Sequence, residues 1–407
     1  MKLMLRCLFL ALFCPLFSYS AEVEECVVAD SLAPEHEREL RLLIDADAFI
    51  VDNEYEGSMA TGYTLPGTWV QPRLSYDPLS SVHLELGLHT IFFNGATRYP
   101  NFAFHDIARW KGPQYRKGIH ALPWFRADAA MDPVSVTLGA LHRQRSRHQS
   151  LPCPSAHDLA LPLYNPECLH SADPEMGAQV QLSLPHYGLD LWIDWQSFIY
   201  RQDIHQEAFT AGLTQQVNVK VPQGEGWGIS LPVQLLFQHR GGEIDATDEG
   251  AQTLGNAGLG LRAEWLTGQR VLSHVSGEAM ALHSMQLKGL LWPHSSGDAI
   301  WASAGARLWD RLEGRVGYIF GYRFVSIYGA PFFGTLSLAD GKEHPHVSTG
   351  YYRLAYTHPF GSDFAFTASV DGYLHRPFCD DFSHSMSLGL CFRAYLDFLL
   401  KSFKAGQ

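Results

Sequence analysis

Apolar and polar residues alternate along most of the chain, in one run after another from about Leu40 onward. In Val82–Phe93, leucines occupy one face, and histidine, glutamate and glycine occupy the other. Phe364–His375 and Ser383–Leu400 alternate in the same way. A half-buried strand of a soluble sandwich also alternates, but these runs are long and one face is almost purely apolar and aromatic. Such runs are typical of outer-membrane strands, which face lipid on one side and the barrel lumen on the other.

The succession of runs predicts an all-β fold, namely a transmembrane antiparallel outer-membrane β-barrel. We count about 16 strands, an even number as in bacterial barrels, within a range of roughly 12 to 16. The strands are predicted to start near Leu40, Thr68, Val82, Gly118, Val134, Gly177, Leu189, His205, Gly228, Thr253, Val271, Asp298, Gly314, Gly350, Asp363 and Ser385.

The connections between the runs form a short set and a generally longer set. The short set mostly carries Pro, Gly or Asp turn chemistry, and it comprises Tyr76–Ser81, Met131–Pro133, Pro185–Gly188, Pro222–Gly228, Thr267–Arg270, Asp310–Gly314 and Pro359–Asp363. The longer set includes Asn94–Lys117, Gln144–Met176, His283–Gly297 and Ser326–Thr349. Outer-membrane barrels have short periplasmic turns and long outer loops, so both ends of the barrel sequence are expected at the periplasm.

The N-terminus predicts an exported chain. Residues 1–20 combine Lys2 and Arg6 with a short apolar core and a small-residue cleavage site, which is typical of a secretory signal peptide. Residues 21–38 are acidic and are interpreted as a periplasmic lead-in, and residues 39–407 as the barrel. With 30 Lys and Arg against 42 Asp and Glu, the net charge is −12. This balance argues against nucleic acid as a partner, since phosphate binding needs clustered cations.

Five of the seven cysteines lie beyond the predicted cleavage site, and an oxidising compartment permits disulfides between them. Cys153 and Cys168 flank one loop-like segment and are the most plausible bridge. Cys379 with Cys391 is an alternative pair, and one thiol is left over. The spacing of cysteine and histidine does not match a structural zinc site.

Strand parity places charges of both signs on the lumen face. These residues are Arg41, Asp45, Asp47, Glu85, Arg126, Asp128, Asp190, Asp194, Arg262, Glu264, Glu278, Arg307, Arg315, Arg323, Asp371, Arg393 and Asp397. A mixed interior is expected of any salt-bridged or water-filled barrel. It is weak support for an ion-selective pore, which usually requires rings of one charge.

Histidines recur at the outer ends of the strands on the apolar-facing parity, namely at His142, His239 and His283. His205 and Glu207 share the parity of the apolar residues that follow them. Pairing about the turn at 222–228 sets position 239 opposite position 209. The sequence therefore predicts a cluster at the outer rim that contains His205, Glu207, His239 and Arg240, with Glu243 and Asp245 from the adjoining loop.

This predicted cluster suits ester hydrolysis. A histidine bound to a carboxylate acts as a general base near neutral pH, so His239 is the predicted base and Glu207 or Glu243 its orienting acid, with His205 beside them. Ser284 and Ser326 are candidate nucleophiles, and the sequence does not select between them.

The same residues have other possible roles. Arg240 would contact a phosphate or an oxyanion. The oxygen atoms of Glu243 and Asp245 would suit Ca²⁺, although the need for a metal stays open. The alternative is a rim whose histidines and arginines only bind lipopolysaccharide phosphates.

Several segments resemble a family of outer-membrane proteins of anaerobic gut and oral Gram-negative bacteria. They are Phe49–Gly57, Gly62–Trp69, Pro162–Glu167, Trp192–Phe209, Leu231–Asp245 and Tyr328–Gly334. The resemblance spans almost the whole mature chain. It implies a multi-pass outer-membrane barrel, and the family includes a lipid A deacylase, which removes an ester-linked acyl chain from lipid A.

The first functional hypothesis is therefore an outer-membrane esterase acting on lipid A within lipopolysaccharide. The second is a porin or substrate-specific channel, and the third is a structural or adhesive surface barrel. Each hypothesis implies insertion by the barrel-assembly machinery. The sequence leaves open the acyl chain removed, the nucleophile and the oligomeric state.

Overall fold

The structure is a computed structural model of the 407-residue chain. It describes residues 36–57, 59–93, 119–142, 156–171, 173–201, 205–221, 224–242, 250–337, 341–376 and 382–403. The predicted signal peptide lies outside these residues, as does the predicted lead-in as far as residue 35.

Sixteen antiparallel strands form one closed barrel, in which each strand pairs with its sequence neighbours and β1 pairs with β16. The strands are β1 Glu39–Glu54, β2 Tyr63–Leu79, β3 Val82–Phe93, β4 Ile119–Met131, β5 Val134–Ala140, β6 Met176–Leu184, β7 Tyr187–Ser197, β8 Ala208–Lys220, β9 Gly226–Arg240, β10 Gln252–Leu266, β11 Leu272–Lys288, β12 Ser296–Leu308, β13 Leu312–Tyr322, β14 His346–Phe360, β15 Phe364–His375 and β16 Ser383–Ser402.

The barrel and the number of strands confirm the prediction from alternation. Every predicted strand start lies within five residues of the observed one, and β3 and β5 begin at the predicted residue. The predicted pairing about the 222–228 turn is also confirmed, because Phe209 on β8 lies opposite His239 on β9. Closure leaves no unpaired strand edge, which the hydrocarbon core of a membrane requires.

The two ends of the barrel differ in the length of their connections. Short turns at 80–81, 132–133, 185–186 and 309–311 share one end with the first and last residues of the barrel. The opposite end carries the long connections 94–118, 141–175, 198–207, 241–251, 323–345 and others. In outer-membrane barrels the short turns are periplasmic, so the long connections lie at the outer end.

The lipid-facing surface is apolar, as parity predicts. On β3, Leu84, Leu86 and Leu88 are exposed outward, whereas His83 and Glu85 are buried inward. The inward charges form ion pairs, as in the bidentate contact of Arg393 with Asp47. Pairing offsets the cost of moving charges out of water.

Two segments of the outer connections fold into the lumen and form the hydrophobic core of the molecule. One is residues 156–171, which end in the short helix α1 (Cys168–Ser171), and the other is residues 324–337. We call them together the plug. Leu163, Phe324 and Phe332 of the plug are completely buried. The plug therefore fills the outer half of the lumen with packed apolar side chains.

The plug is tied to the barrel wall through its backbone. The side-chain amide of Gln234 on β9 accepts a hydrogen bond from Ala160 N–H at 2.9 Å and donates one to the Asp158 carbonyl at 2.8 Å. The side-chain amide of Asn256 on β10 likewise donates to the Val325 carbonyl at 2.9 Å and accepts a hydrogen bond from Ile327 N–H at 2.8 Å. Buried backbone groups need such partners, so these two amides fix the position of the plug.

Within the described part of the chain, no helix has the length and apolar character that a membrane-spanning helix needs.

Candidate active site

A histidine–aspartate pair lies on the lipid-facing surface near the outer end of the β11–β12 hairpin. His283 on β11 lies opposite Asp298 on β12, and its Nδ1 atom is 2.7 Å from a carboxylate oxygen. The two side chains are 42% and 78% exposed. A hydrogen donated from Nδ1 to the carboxylate leaves Nε2 as the unprotonated nitrogen of the neutral ring. This nitrogen can accept a proton from a bound molecule.

Apolar side chains surround the pair on the outer surface. On β11, Ala281 is the outward-facing neighbour of His283 on the periplasmic side. Leu287 lies on the exterior side of His283 and is 48% exposed. Ile300 follows Asp298 on the outward face of β12 and is 64% exposed. A carboxylate facing lipid is costly within hydrocarbon, so the pair marks the level where lipid head groups begin. Its surroundings suit a molecule with both a polar head and acyl chains.

His239, the predicted base, also faces outward at the rim. Its Nδ1 atom lies 2.9 Å from the hydroxyl of Thr253, and its Nε2 atom lies 2.8 Å from the Gly241 carbonyl. Its ring packs against Phe209. Because the protein engages both ring nitrogens, His239 is less suited than His283 to accept a proton from a substrate.

The other members of the predicted cluster are divided by the barrel wall. Arg240 is buried and points into the lumen, because neighbouring residues of a strand face opposite sides. Glu207 lies beside Gly242, and the backbone carbonyl of Glu207 accepts a hydrogen bond from the Gly241 N–H. His205 is exposed and contacts the Phe198 carbonyl. The structure thus brings these residues to one rim but not to one surface.

The two predicted nucleophiles lie inside the barrel. Ser284 is 1% exposed, donates to the Gly297 carbonyl and accepts the Val325 N–H. Ser326 belongs to the plug and accepts the Gly329 N–H. The Ser284 hydroxyl joins β11 to the plug and lies across the wall from His283, whereas the Ser326 hydroxyl bonds within the plug.

Three of the predicted residues lie outside the described part of the chain. They are Glu243 and Asp245, which were expected to bind substrate or Ca²⁺, and Cys153, the expected disulfide partner of Cys168. Cys168 itself is buried at the start of α1. The predicted roles of these residues stay predictions.

A second histidine–carboxylate group lies in the plug. His157 is completely buried, with Nδ1 2.9 Å from Asp190 and Nε2 2.6 Å from Glu175. Its ring stacks on Trp192 at 3.8 Å between centroids. Burial opposes the charged form, but Glu175 and Asp190 outweigh it and raise the pKa of His157 to about 9. Since both nitrogens are engaged, this group holds the plug rather than a substrate.

A serine–histidine pair is also enclosed. The Nε2 atom of His375 on β15 lies 3.0 Å from the hydroxyl of Ser385 on β16, and Ser385 is 0% exposed. The same hydroxyl accepts the Glu56 N–H and lies 3.2 Å from the Glu56 carbonyl, and the ring of Phe332 packs on His375. These contacts attach the β1–β2 connection to the wall, and no ester could reach the serine without opening it.

One group of side chains offers donors for a metal ion. The donor atoms of Asp47, His170 and Cys391 lie within 4.8 Å of one another in the lumen. However, Arg393 already contacts both carboxylate oxygens of Asp47, at 2.8 and 2.9 Å. The guanidinium therefore supplies the positive charge that an ion would bring.

Asp298 is the functional candidate that the sequence interpretation missed. The sequence analysis assigned His283–Gly297 to a connection and began the next strand at Asp298. The two residues that flank a hairpin loop face each other across it, so a strand longer by one residue would have contained the pair. β11 in fact continues to Lys288.

Three solved structures resemble this chain over most of its length. OccAB4 of Acinetobacter baumannii is 10% identical, with 90% of this chain and 100% of that chain covered and a TM-score of 0.48. OpdK of Pseudomonas aeruginosa is 11% identical, with 89% and 100% covered and a TM-score of 0.48. A BenF-like porin of Pseudomonas fluorescens Pf-5 is 8% identical, with 89% and 100% covered and a TM-score of 0.47.

No curated protein has a matching sequence. The sequence model of one family does match, over residues 32–403, and its description is Lipid A 3'-O-deacylase-type. This match covers the whole barrel, from before β1 to the residue after β16. The resemblance found in the sequence is thereby confirmed, and the chain belongs to the Lipid A 3'-O-deacylase-type family of outer-membrane β-barrels.

Proposed function

We propose that the protein is an outer-membrane esterase that removes an ester-linked acyl chain from lipid A at the outer leaflet. The observation that carries the proposal is the His283–Asp298 pair on the lipid-facing surface. Lipid A is held in the outer leaflet by its acyl chains, so an enzyme that acts on it within the membrane needs its reactive groups on this surface. Membership of the family supports the same activity.

His283 and Asp298 together can act as a general base. Asp298 orients the imidazole of His283 and stabilises the charge that the ring acquires. Nε2 takes a proton from a water molecule, and the oxygen of that water attacks the ester carbonyl carbon. When the tetrahedral intermediate collapses, the imidazolium returns the proton to the sugar oxygen. The products are a free fatty acid and a lipid A hydroxyl, so the atoms and the proton balance.

The plug supports a site on the outside of the barrel. Side chains such as Leu163, Phe332 and Phe333 fill the outer half of the lumen and are almost completely buried. A lipid entering the lumen from outside would have to displace this core. On the outer wall, by contrast, acyl chains would lie against Ile300, which is already exposed on the membrane side of the pair.

The test is an assay of the purified full chain in detergent with lipid A as substrate. Mass spectrometry follows the glycolipid, and a separate measurement quantifies the free fatty acid. We expect a glycolipid lighter by one acyl chain and one equivalent of fatty acid. Intact lipid A after prolonged incubation with correctly folded protein, with and without added Ca²⁺, would refute the esterase.

A further inference from the structure

Basic side chains extend along the outer surface beside the His283–Asp298 pair. Tyr322 at the end of β13 lies opposite Asp298 on one side and opposite His346 on the other. The rings of Tyr322 and His346 are 5.0 Å apart, and the guanidinium of Arg323 lies over the Tyr322 ring, also at 5.0 Å. Arg323 and His346 therefore flank one exposed tyrosine on the outer surface. The assignment of Arg323 to the lumen face by parity was wrong, because its positive φ of 53° interrupts the strand alternation.

The basic surface continues onto β15 and β16. Arg376 follows the inward-facing His375 and is exposed, so strand alternation directs it outward. Its backbone N–H donates to the Ser348 carbonyl of the adjacent strand β14. Arg376 is therefore a diagonal neighbour of His346, which lies two residues from Ser348 on the same strand. His384 on β16 faces outward beyond it and contacts the Tyr352 hydroxyl at 2.9 Å. We call Arg323, His346, Arg376 and His384 the basic row.

The two arginines of the row differ from those of the lumen. Lumen arginines such as Arg73 and Arg262 each contact carboxylates. No carboxylate in the described ranges lies within ion-pair distance of Arg323 or Arg376. Asp380 and Asp381 follow Arg376 in the sequence and lie outside those ranges. Unpaired guanidinium groups at a membrane surface attract anions, and their planar donors match phosphate oxygens.

We propose that Arg323, His346 and Arg376 bind a phosphate group on the head group of the glycolipid substrate. His346 is three strands from His283, which is about 14 Å at the usual strand spacing. A head group of a few sugar rings spans that distance, so phosphate at the row would set an ester against His283. The identity of this head group rests on the proposed esterase. The substrate class is therefore a phosphorylated glycolipid, and its dephosphorylated form binds more weakly.

The test measures binding without turnover. Full-chain His283→Ala protein in detergent is titrated with lipid A and with lipid A stripped of its phosphate groups, and native mass spectrometry gives the bound fraction. The same titrations use Arg323→Gln/Arg376→Gln in the His283→Ala background. Arg270→Gln is the matched control, because Arg270 is exposed in a turn at the periplasmic end. Inorganic phosphate is added as a competitor.

We expect the double variant to bind phosphorylated lipid A about tenfold more weakly and the stripped lipid unchanged, because two charge-assisted contacts are lost. The control should bind both lipids normally. Equal affinity of the parent protein for both lipids would overturn the proposal. The proposal would also be overturned if inorganic phosphate displaced all bound lipid A at a concentration just high enough to occupy both arginines. The site would then bind free phosphate and not the glycolipid. If phosphate-dependent binding is seen but active protein releases no fatty acid, the esterase fails and the phosphate site stands.

Discussion

The plug and the outer wall each contain a histidine held by carboxylate, and the two groups differ in what is left over for chemistry. His157 in the plug is buried between Asp190 and Glu175, with both nitrogens engaged. His283 on the wall contacts Asp298 through one nitrogen and is 42% exposed. The same residue types therefore stabilise a fold in one place and offer a proton acceptor in the other. A free ring nitrogen on a surface the substrate can reach makes the difference.

The largest expected effect is on activity. His283→Ala should lower the rate of fatty acid release by roughly 10²- to 10⁴-fold, the usual contribution of a positioned general base. The assay is deacylation of lipid A by the purified variant. The free energy of unfolding should stay within about 0.5 kcal/mol of wild type, because the side chain is exposed. A variant that keeps its rate would remove His283 from the mechanism.

In the plug, by contrast, replacing a histidine is expected to lower the free energy of unfolding. His157→Leu leaves the buried Asp190 without its cation, which costs about 3–5 kcal/mol of stability. Urea unfolding in lipid vesicles, followed by tryptophan fluorescence, measures this loss, with His283→Ala as the control. If the two variants were equally stable, His157 would not be an anchor of the plug.

The stability of the plug should also depend on pH. The folded protein raises the pKa of His157 from 6.5 to about 9, since the two carboxylates outweigh burial. The folded state therefore binds more protons than the unfolded state between these values, and stability is lost as pH rises through 9. Integrated over this window, the loss is about 3 kcal/mol. Urea unfolding at pH 6 and pH 9.5 should show it in wild type and not in His157→Leu; a matching loss in the variant would point to another group.

The smallest expected effect concerns His239. The sequence predicted it as the base, and the structure engages its ring with Thr253 and Gly241. His239→Ala should therefore lower the deacylation rate by less than about tenfold, against the larger loss for His283→Ala. If the order of the two variants were reversed, the sequence assignment would be right and our choice of base wrong.

The barrel was predictable because each strand carries its own signal. Alternation located the start of every strand to within five residues, and it placed Glu85 and Asp47 in the lumen. Pairing across the 222–228 turn followed from a local hairpin, so the opposition of residues 209 and 239 was also predictable. Each of these inferences needs only neighbouring residues and the period of a strand.

The plug was not predictable by the same means. Residues 156–171 and 326–337 lack a regular period and were assigned to outer loops. Whether a loop turns outward or folds into the lumen depends on distant partners, such as Gln234 and Asn256 on the wall. The available signal was composition, because 159–164 and 330–333 are far more apolar than an exposed loop requires.

The site was predictable in part. Parity correctly directed His239 and His283 outward at the outer rim. It was wrong for His142, which contacts the buried lumen residue Asp128. The choice of a carboxylate partner needs the register of the hairpin, and a strand end misplaced by six residues hid the pair of His283 with Asp298. Strand ends are the least certain part of any interpretation from periodicity.

The most direct test of the esterase is the mass spectrum of lipid A from cells that lack the gene and from the same cells complemented with wild type, His283→Ala or His239→Ala. We predict that deletion adds a species heavier by one acyl chain, that wild type and His239→Ala remove it, and that His283→Ala, inserted at normal levels, does not. An unchanged spectrum on deletion would contradict the esterase. Removal of the heavier species by His283→Ala would contradict the site.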